Sequence, residues 1–121
     1  TMSDEINNVV IHDAARPFVE KKHFESLLSA GDEYVYVTYC IRIMNGLHKL
    51  DHYDYEIVNR DDYVELCTPI CVDYKLFWFI ITNYMAKKNR IVWEIINILD
   101  LLKIKYFMID GHYSYLKKIT N

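Results

Sequence analysis

The sequence holds little of what marks disordered, disulfide-stapled or membrane-spanning proteins. Glycine occurs three times and proline twice among 121 residues, while aromatic residues make up 15%; disorder requires the opposite balance. The cysteines number three, and no signal-like segment precedes them, so we expect reduced, buried thiols in a cytoplasmic protein. A chain that is 52% hydrophobic can bury a core, and we expect residues 1–121 to form a single domain.

An excess of positive charge is absent as well. Lysine and arginine number 14 against 17 aspartates and glutamates, a net charge of −3, so we expect no nucleic-acid partner. The most apolar run, residues 76–81, lies in a segment shorter than the roughly 20 residues that span a bilayer. We therefore expect a buried helix there and no membrane partner. The basic run at residues 87–90 is typical of a solvated helix end, and Cys67 and Cys71 lack the second ligand pair of a zinc site.

Hydrophobic periodicity in the first third of the chain predicts a strand, a helix and a second strand. Residues 8–11 form a continuous apolar run, typical of a strand covered on both faces. Residues 20–30 have the spacing of an amphipathic helix, with Gly31 as a left-handed stop. The predicted apolar face consists of Phe24, Leu27 and Leu28. Residues 34–38 are β-branched and aromatic, so the pattern indicates parallel strands joined by a crossover helix.

The remaining sequence predicts a hairpin, a second helix and a closing strand. Asn45-Gly46 suits a tight turn between residues 41–44 and 47–50, and residues 55–58 could pair with that hairpin. Residues 91–102 have helical spacing, residues 105–109 resemble a strand, and residues 112–120 resemble the start of another. We expect an α/β fold: a partial Rossmann-like, mostly parallel sheet with flanking helices and a projecting β-hairpin arm at about residues 39–60.

Polar residues that could meet an anionic ligand follow several of these elements. They are Asp13, Arg16, Arg60, Thr68, Lys117 and Lys118. Ligands of open α/β sheets lie beyond the carboxyl ends of strands, where Asp13 and Arg16 are expected. An aspartate can hold a divalent cation while arginine and lysine neutralise phosphates. In the alternative interpretation Asp13 caps its loop, Arg16 pairs with it, and the lysines are solvated surface.

A resemblance to a known family bears on this choice. The run VVIHDAARPFV at residues 9–19 resembles the signature of the cytidylyltransferases that make CDP-activated polyols from methylerythritol phosphate or ribitol 5-phosphate. Three further pieces follow in the order of that family: Asn45-Gly46, Val58-Asn59-Arg60 with Thr68-Pro69 eight residues on, and GHYSYLK at residues 111–117. The last piece and the Asn-Arg pair favour the ribitol-phosphate branch. The resemblance covers the second half of the family, whose Gly-rich CTP-binding loop has no counterpart in these 121 residues.

The resemblance implies transfer of CMP from CTP to a polyol phosphate, with Mg²⁺ and release of pyrophosphate. It places Asp13 at the nucleotide ribose and the metal, and Arg16 at the substrate, where it braces the loop. Thr68 would bind the polyol phosphate, and Lys117 or Lys118 would face the phosphates. Arg60 would reach the substrate phosphate of a partner subunit, so the resemblance implies a homodimer joined through the hairpin arm.

Departures from the family favour an alternative, a degenerate and non-catalytic dimerisation or interaction module. Tyr39-Cys40 stands where the family has Asp-Thr, and Ile70 stands where a Gln follows Thr-Pro. Apolar residues at 91–93 replace an expected Thr-Asp pair. These changes remove hydrogen-bonding groups for a polyol and indicate either drift after loss of function or a different substrate. An enzyme and an interaction module are therefore both candidates.

Overall fold

A four-stranded sheet with helices on both faces forms the centre of the chain. A computed structural model describes residues 6–50, 56–84 and 91–120. In chain order the elements are β1 (Asn8–Ile11), α1 (Lys21–Gly31), β2 (Tyr36–Arg42), β3 (Leu47–Lys49), β4 (Glu56–Val58), a 3₁₀ turn (Arg60–Asp62), β5 (Val64–Asp73), α2 (Tyr74–Tyr84), α3 (Ile91–Leu101), β6 (Phe107–Asp110) and α4 (Tyr113–Leu116).

The strand order of the sheet is β1-β5-β2-β6. β5 is antiparallel to both β1 and β2, and β2 is parallel to β6. β1, β2 and β6 therefore run in one direction and only β5 opposes them. The predicted α/β class is confirmed, with helix α1 connecting two strands of the same direction. No local pattern in the sequence predicts that β5 lies between those two strands.

Each face of the sheet carries its own hydrophobic core. Consecutive residues of β2 belong to different cores, because successive side chains of a strand point to opposite faces. Tyr36 packs with α2 and α3 residues such as Ile80 and Leu99, whereas Val37 packs with Leu27 of α1 and Leu116 of α4. A strand buried on both faces shows no alternation of hydropathy, which explains why β2 is mostly apolar from Tyr36 to Ile41.

Helix α1 differs from its prediction at its C-terminal end. Leu27 is buried as expected, whereas Leu28 is 43% exposed. Gly31 is the last helical residue and has no positive φ, so the predicted left-handed stop is wrong. A Cβ at Gly31 would lie 2.9 Å from the Cys71 Sγ. Glycine at this position allows α1 to lie close to β5.

Helices α2 and α3 cover the other face. The predicted helix at residues 91–102 is confirmed by α3, in which Ile95, Ile98 and Leu99 are buried. The prediction that residues 76–81 form a buried helix is wrong for one side of α2, where Trp78 and Phe79 are about half exposed. The basic run at residues 87–90 lies outside the described residues. Within the described ranges, no helix has the length and apolar character needed to cross a bilayer.

β3 and β4 form a separate two-stranded sheet, which we call the ribbon and which comes between β2 and β5 in the chain. β3 pairs with β4 in antiparallel fashion, which confirms the predicted pairing for Glu56–Val58; residues 51–55 lie outside the described residues. The predicted turn at Asn45-Gly46 is wrong, because Ile41 and Arg42 pair with β5 and do not return along β3. Burial of β2 from Tyr36 to Ile41 within the sheet outweighs the local turn preference of Asn-Gly.

The C-terminal segment turns from a strand into a short helix. The predicted strand at residues 105–109 is confirmed by β6, which begins at Phe107 and is parallel to β2. The prediction that residues 112–120 begin a further strand is wrong, because Tyr113–Leu116 form the helix α4. His112 caps this helix by accepting from the Ser114 N–H. A Cβ at Gly111 would collide with the Leu116 side chain, so glycine is required where β6 meets α4.

Candidate functional site

A β-bulge in β5 determines where the chain leaves β1. β1 pairs with β5 as far as Ile11, which lies opposite Ile70. The register of β2 against β5 shifts at this level, so that Thr68 and Pro69 are extra residues on β5. Proline cannot donate to a ladder, and bulges redirect side chains. The Thr68 Oγ1 accepts the Asp13 N–H at 2.9 Å, which fixes the first residues of the loop that follows β1.

The Asp13 carboxylate lies at the carboxyl end of β1 and has two partners, a backbone N–H and a lysine ammonium. Its Oδ1 accepts the Ala15 N–H at 3.0 Å, and its Oδ2 lies 3.0 Å from the Lys118 Nζ. The Ala15 hydrogen bond, followed by that of Lys118, holds the pKa of Asp13 below its usual range. The Asp13 side chain is 33% exposed. An ionised carboxylate paired with an ammonium group is therefore open to solvent here.

Arg16 connects this loop to the C-terminal segment. Its side chain is only 6% exposed, and its Nη1 donates to the Leu116 carbonyl at 2.5 Å. The Ile119 N–H donates to the Ala15 carbonyl at 2.7 Å, and the Arg16 carbonyl contacts the His12 Nε2 at 2.9 Å. We call residues 13–18 together with residues 116–119 the clasp. Hydrogen bonds from a backbone N–H and from the Arg16 guanidinium join the two segments of the clasp.

The two lysines of the clasp have different neighbours. Lys118 forms the ion pair with Asp13, whereas the Lys117 Nζ lies 4.9 Å from the centre of the Phe18 ring. A lysine over an aromatic face makes a cation–π contact. Lys118 is therefore the lysine at the carboxylate, and Lys117 packs on the loop.

Arg60 lies apart from this group in the described structure. It begins the 3₁₀ turn after β4, and its Nη1 donates to the Met44 carbonyl at 3.0 Å. It is exposed at a cleft of about 540 Å³ beyond the carboxyl ends of β2 and β6. Polar residues that line this cleft include Cys40, Arg42, Asp61, Asp110 and His112. The structure brings Asp13, Arg16, Thr68 and Lys118 together, and no described hydrogen bond or ion pair joins Arg60 to them.

The donor set at Asp13 decides what kind of metal ion could bind. Among residues 6–50, 56–84 and 91–120, no group of three or more His, Cys, Asp or Glu side chains could hold a metal. Asp13 offers one carboxylate, whose oxygens each accept more than one hydrogen bond or ligand. Mg²⁺ commonly binds through one or two carboxylates together with substrate phosphates. Asp13 fits a Mg²⁺ ion that arrives with phosphates and does not fit an all-protein metal site.

The three cysteines are buried and free, as expected. Burial raises the pKa of Cys67 to about 11. Burial also raises the pKa of Cys40, and the Asp110 carboxylate that accepts from its thiol at 3.5 Å adds to the effect. Protonated thiols are poor nucleophiles, so none of the three has the character of a catalytic cysteine.

Sequence reasoning missed the backbone partners of the site. The Ala15 N–H, the Leu116 carbonyl and the Ile119 N–H each hold a part of the clasp. Backbone groups carry no residue-type signal, so the sequence could indicate only the loop in which Ala15 lies. His12 was also passed over, although it immediately precedes Asp13 in the motif. Its contact with the Arg16 carbonyl fits a role in shaping the loop.

Comparisons with known proteins give two curated relatives of the same name. No family model matches the sequence. A 2-C-methyl-D-erythritol 4-phosphate cytidylyltransferase of Thermotoga neapolitana is 37% identical over 68 residues, 56% of this chain and 31% of that protein. The enzyme of the same name from Clostridium tetani is 26% identical over 114 residues, 93% of this chain and 46% of that protein. This chain thus spans less than half the length of these two curated relatives.

Solved structures show the same fold. The 4-diphosphocytidyl-2C-methyl-D-erythritol synthase of Anaerococcus prevotii superposes with a TM-score of 0.80 at 22% identity, over 99% of this chain and 56% of that one. The 2-C-methyl-D-erythritol 4-phosphate cytidylyltransferase of Thermus thermophilus gives 0.71 at 18% identity, over 95% and 56%. The chain is therefore cytidylyltransferase-like in fold and is related in sequence, over part of their length, to enzymes named for methylerythritol phosphate.

Proposed function

We propose that this chain contributes the polyol-phosphate side of a cytidylyltransferase active site. In the proposed reaction a phosphate oxygen of the polyol phosphate attacks the α-phosphorus of CTP and forms a new P–O bond. The bond between the α- and β-phosphates breaks, and pyrophosphate leaves with its electron pair. The observation that carries the proposal is the exposed Asp13–Lys118 ion pair, held at the carboxyl end of β1. The sequence relationship to methylerythritol-phosphate cytidylyltransferases supports it.

The charges of the two residues suit such a reaction. The attacking phosphate is already an anion, so no general base is needed, and the task is to bring two mutually repelling anions together. The Lys118 side chain is 48% exposed, and its ammonium would supply positive charge at the attacking phosphate. Asp13 would hold Mg²⁺ jointly with phosphate oxygens. When bound, Mg²⁺ would neutralise phosphate charge and help to align the reacting groups.

Lys118, in preference to Lys117, takes the phosphate-facing role in this proposal. The Lys118 ammonium already lies at a carboxylate that is open to solvent, whereas Lys117 packs on Phe18. Thr68 is 4% exposed and accepts the Asp13 N–H. We therefore assign Thr68 to holding the Asp13 loop beneath the polyol phosphate.

Arg60 requires a second copy of the chain in this proposal. Its guanidinium is exposed and lies beside the ribbon of β3 and β4, and its described hydrogen bond goes to the Met44 carbonyl. Among the described residues this bond uses one of its five N–H groups, so the guanidinium still has donors for a ligand. In a homodimer joined through this ribbon, Arg60 would contact the substrate phosphate bound at Asp13 and Lys118 of the partner subunit.

The polyol is either methylerythritol phosphate or ribitol 5-phosphate. The names of the related enzymes support methylerythritol phosphate, while the GHYSYLK piece at residues 111–117 supports the ribitol compound. Both carry the same phosphate group for Lys118. Parallel assays with the two compounds would separate them.

Release of pyrophosphate from CTP, Mg²⁺ and each polyol phosphate tests the proposal. The three glycines of these residues are isolated, and no Gly-rich triphosphate loop is present. We therefore expect turnover when the residues are assayed together with a polypeptide that carries such a loop. Lys118→Met should abolish turnover, and Lys21→Met, a change on the exposed face of α1, should leave it unchanged. Absence of turnover in every combination would falsify the catalytic proposal.

One observation favours a second candidate function, a non-catalytic module that associates with another copy of itself. Trp78 and Phe79 of α2 are 53% and 50% exposed, and large exposed aromatic groups are typical of association surfaces. Sedimentation velocity should then show concentration-dependent dimers, which Trp78→Ser shifts towards monomers. A dimer that persists in Trp78→Ser but not after changes in the ribbon would instead support the arm-joined homodimer.

A further inference from the structure

Arg16 has the residue type of a phosphate ligand but not the surroundings of one. Its side chain is 94% buried, with 6% exposed, and its Nη1 is bonded to the Leu116 carbonyl. Its Nε is buried and lacks a hydrogen-bond partner among the described residues. A guanidinium that binds substrate phosphate presents its planar fork to the ligand. Here part of that fork is used within the protein.

The contact between Arg16 and the Leu116 carbonyl lies close to Lys118 in the chain. Leu116 ends α4 and lies two residues before Lys118. On the other side of Lys118, the Ile119 N–H is bonded to the Ala15 carbonyl. Lys118 therefore lies between two backbone groups that are each held by the Asp13 loop, and its backbone has little freedom to move away from that loop.

We propose that Arg16 is a positioning residue: by holding the Leu116 carbonyl it sets Lys118 on Asp13, and it does not itself bind the substrate phosphate. This inference deepens the proposed function and rests on it for its catalytic meaning. The clasp fixes the backbone of Lys118, whereas its side chain is 48% exposed and its ammonium is free to move from Asp13 to an incoming phosphate. Only the side chain then has to reorganise when a ligand binds, which is the basis of preorganisation.

Arginine suits this role better than lysine. A guanidinium carries five N–H donors in a rigid plane and remains charged when buried, whereas an ammonium is a compact, strongly hydrated charge. The Asp13 carboxylate at the end of the same loop offsets part of the buried positive charge. Arg16→Lys should therefore hold the Leu116 carbonyl less well, with an effect between wild type and Arg16→Gln.

Amide hydrogen exchange on the intact 121-residue chain tests the proposal. In Arg16→Gln the Ile119 amide should exchange about tenfold to a hundredfold faster, as expected from loss of one hydrogen bond to a charged group. Amides in the centre of the sheet, such as Val37 and Val72, should keep their exchange rates. Acetylation of Lys118 should also become faster relative to that of Lys21, which lies outside the clasp. Arg42→Gln, a change at an exposed arginine, should alter neither readout.

Several outcomes would overturn the inference. If the Ile119 amide and Lys118 labelling do not change in Arg16→Gln, Arg16 does not position Lys118. If the amides of Ile119, Val37 and Val72 all accelerate equally in both Arg16→Gln and Arg16→Lys, Arg16 has a general structural role only. These measurements need no substrate. If the proposed function is wrong, the protection of the Ile119 amide should still depend on Arg16. If this inference is wrong, the chain should still bind the polyol phosphate.

Discussion

The clasp and the ribbon region hold their functional candidates in different ways. In the clasp, Asp13 is bonded to Thr68 at a sequence separation of 55, and Arg16 to Leu116 at a separation of 100. Near the ribbon, the exposed Arg60 side chain is bonded to a carbonyl only 16 residues away. Long-range contacts from a packed sheet thus fix one set of residues, and a short-range exposed contact holds the other.

This difference separates two kinds of site residue. The clasp residues rest on the hydrophobic core through the buried Leu116, so their arrangement exists before any ligand arrives. Arg60 has no comparable support among the described residues and acquires a defined partner only from a ligand or a second subunit. Substitutions in the clasp should therefore have larger effects than matched substitutions in the ribbon region.

Removal of the core support beneath the clasp should be the most damaging change. Leu116 is fully buried, so Leu116→Ala should lower the free energy of unfolding by about 2–5 kcal/mol. Ile57, on the ribbon, is 82% exposed, and Ile57→Ala should change it by less than about 0.5 kcal/mol. Urea denaturation of the two variants measures both values. Equal losses would show that the ribbon is integrated with the core as firmly as the clasp.

The two neighbouring lysines should differ in ligand binding. Lys118→Met removes the ammonium at Asp13 and should weaken binding of methylerythritol phosphate by about tenfold to a hundredfold, the usual value of a charged hydrogen bond. Lys117→Met, which keeps an apolar contact with Phe18, should weaken it less than about threefold. Isothermal titration calorimetry gives both dissociation constants. A reversed order of the two variants would assign the site to Lys117.

The bond between the β5 bulge and the Asp13 loop should make a moderate contribution. Thr68→Val keeps the side-chain shape but leaves the Asp13 N–H without its acceptor, a loss of about 1–2 kcal/mol in the free energy of unfolding. Thr82→Val serves as the control, because the Thr82 hydroxyl is bonded to its own helix at an exposed site. Thermal denaturation compares them. Indistinguishable values would mean that the bulge does not hold the loop.

The contribution of Asp13 to the pH dependence of the free energy of unfolding should be the smallest of these effects. The pKa of Asp13 is lowered in the folded chain, first by the Ala15 N–H and then by Lys118. The resulting stabilisation is present above the unfolded value of about 3.9 and is lost as the pH falls through the folded pKa. Asp13→Asn should therefore show a weaker fall in stability below pH 4 than wild type. Lys118→Met should reduce this acid sensitivity without abolishing it, because the Ala15 bond remains.

Local patterns in the sequence predicted the elements that local physics controls. The apolar run of β1 and the helical spacing of α1 and α3 located these elements. The expectation that β1 is covered on both faces is wrong, because β1 is an edge strand on which Val10 is 37% exposed. The Asn45-Gly46 turn failed because pairing of β2 with β5, which no local pattern reports, determined the path of the chain. The helix α4, four residues long, is too short for a periodic signal.

The end of β1 and the motif after it indicate where the candidate site lies, but they do not indicate which groups in it contact each other. Asp13, Thr68 and Lys118 were recognised as candidates from residue type and resemblance. The bonds of Thr68 to the Asp13 N–H and of Arg16 to the Leu116 carbonyl are invisible to sequence reasoning, since they join backbone groups to side chains far apart in the chain. For the same reason the sequence could not distinguish Lys118 from Lys117.

An NMR titration of the ¹⁵N-labelled chain with methylerythritol phosphate and Mg²⁺ would locate the phosphate site. If Asp13 and Lys118 form this site, the Asp13, Ala15 and Lys118 amides should show saturable shifts, which Lys118→Met removes. Arg42 and Tyr63, in the cleft beside Arg60, should show smaller shifts. Shifts confined to the cleft, or no saturable shift at the clasp in the wild-type chain, would contradict the assignment of the phosphate site to Asp13 and Lys118.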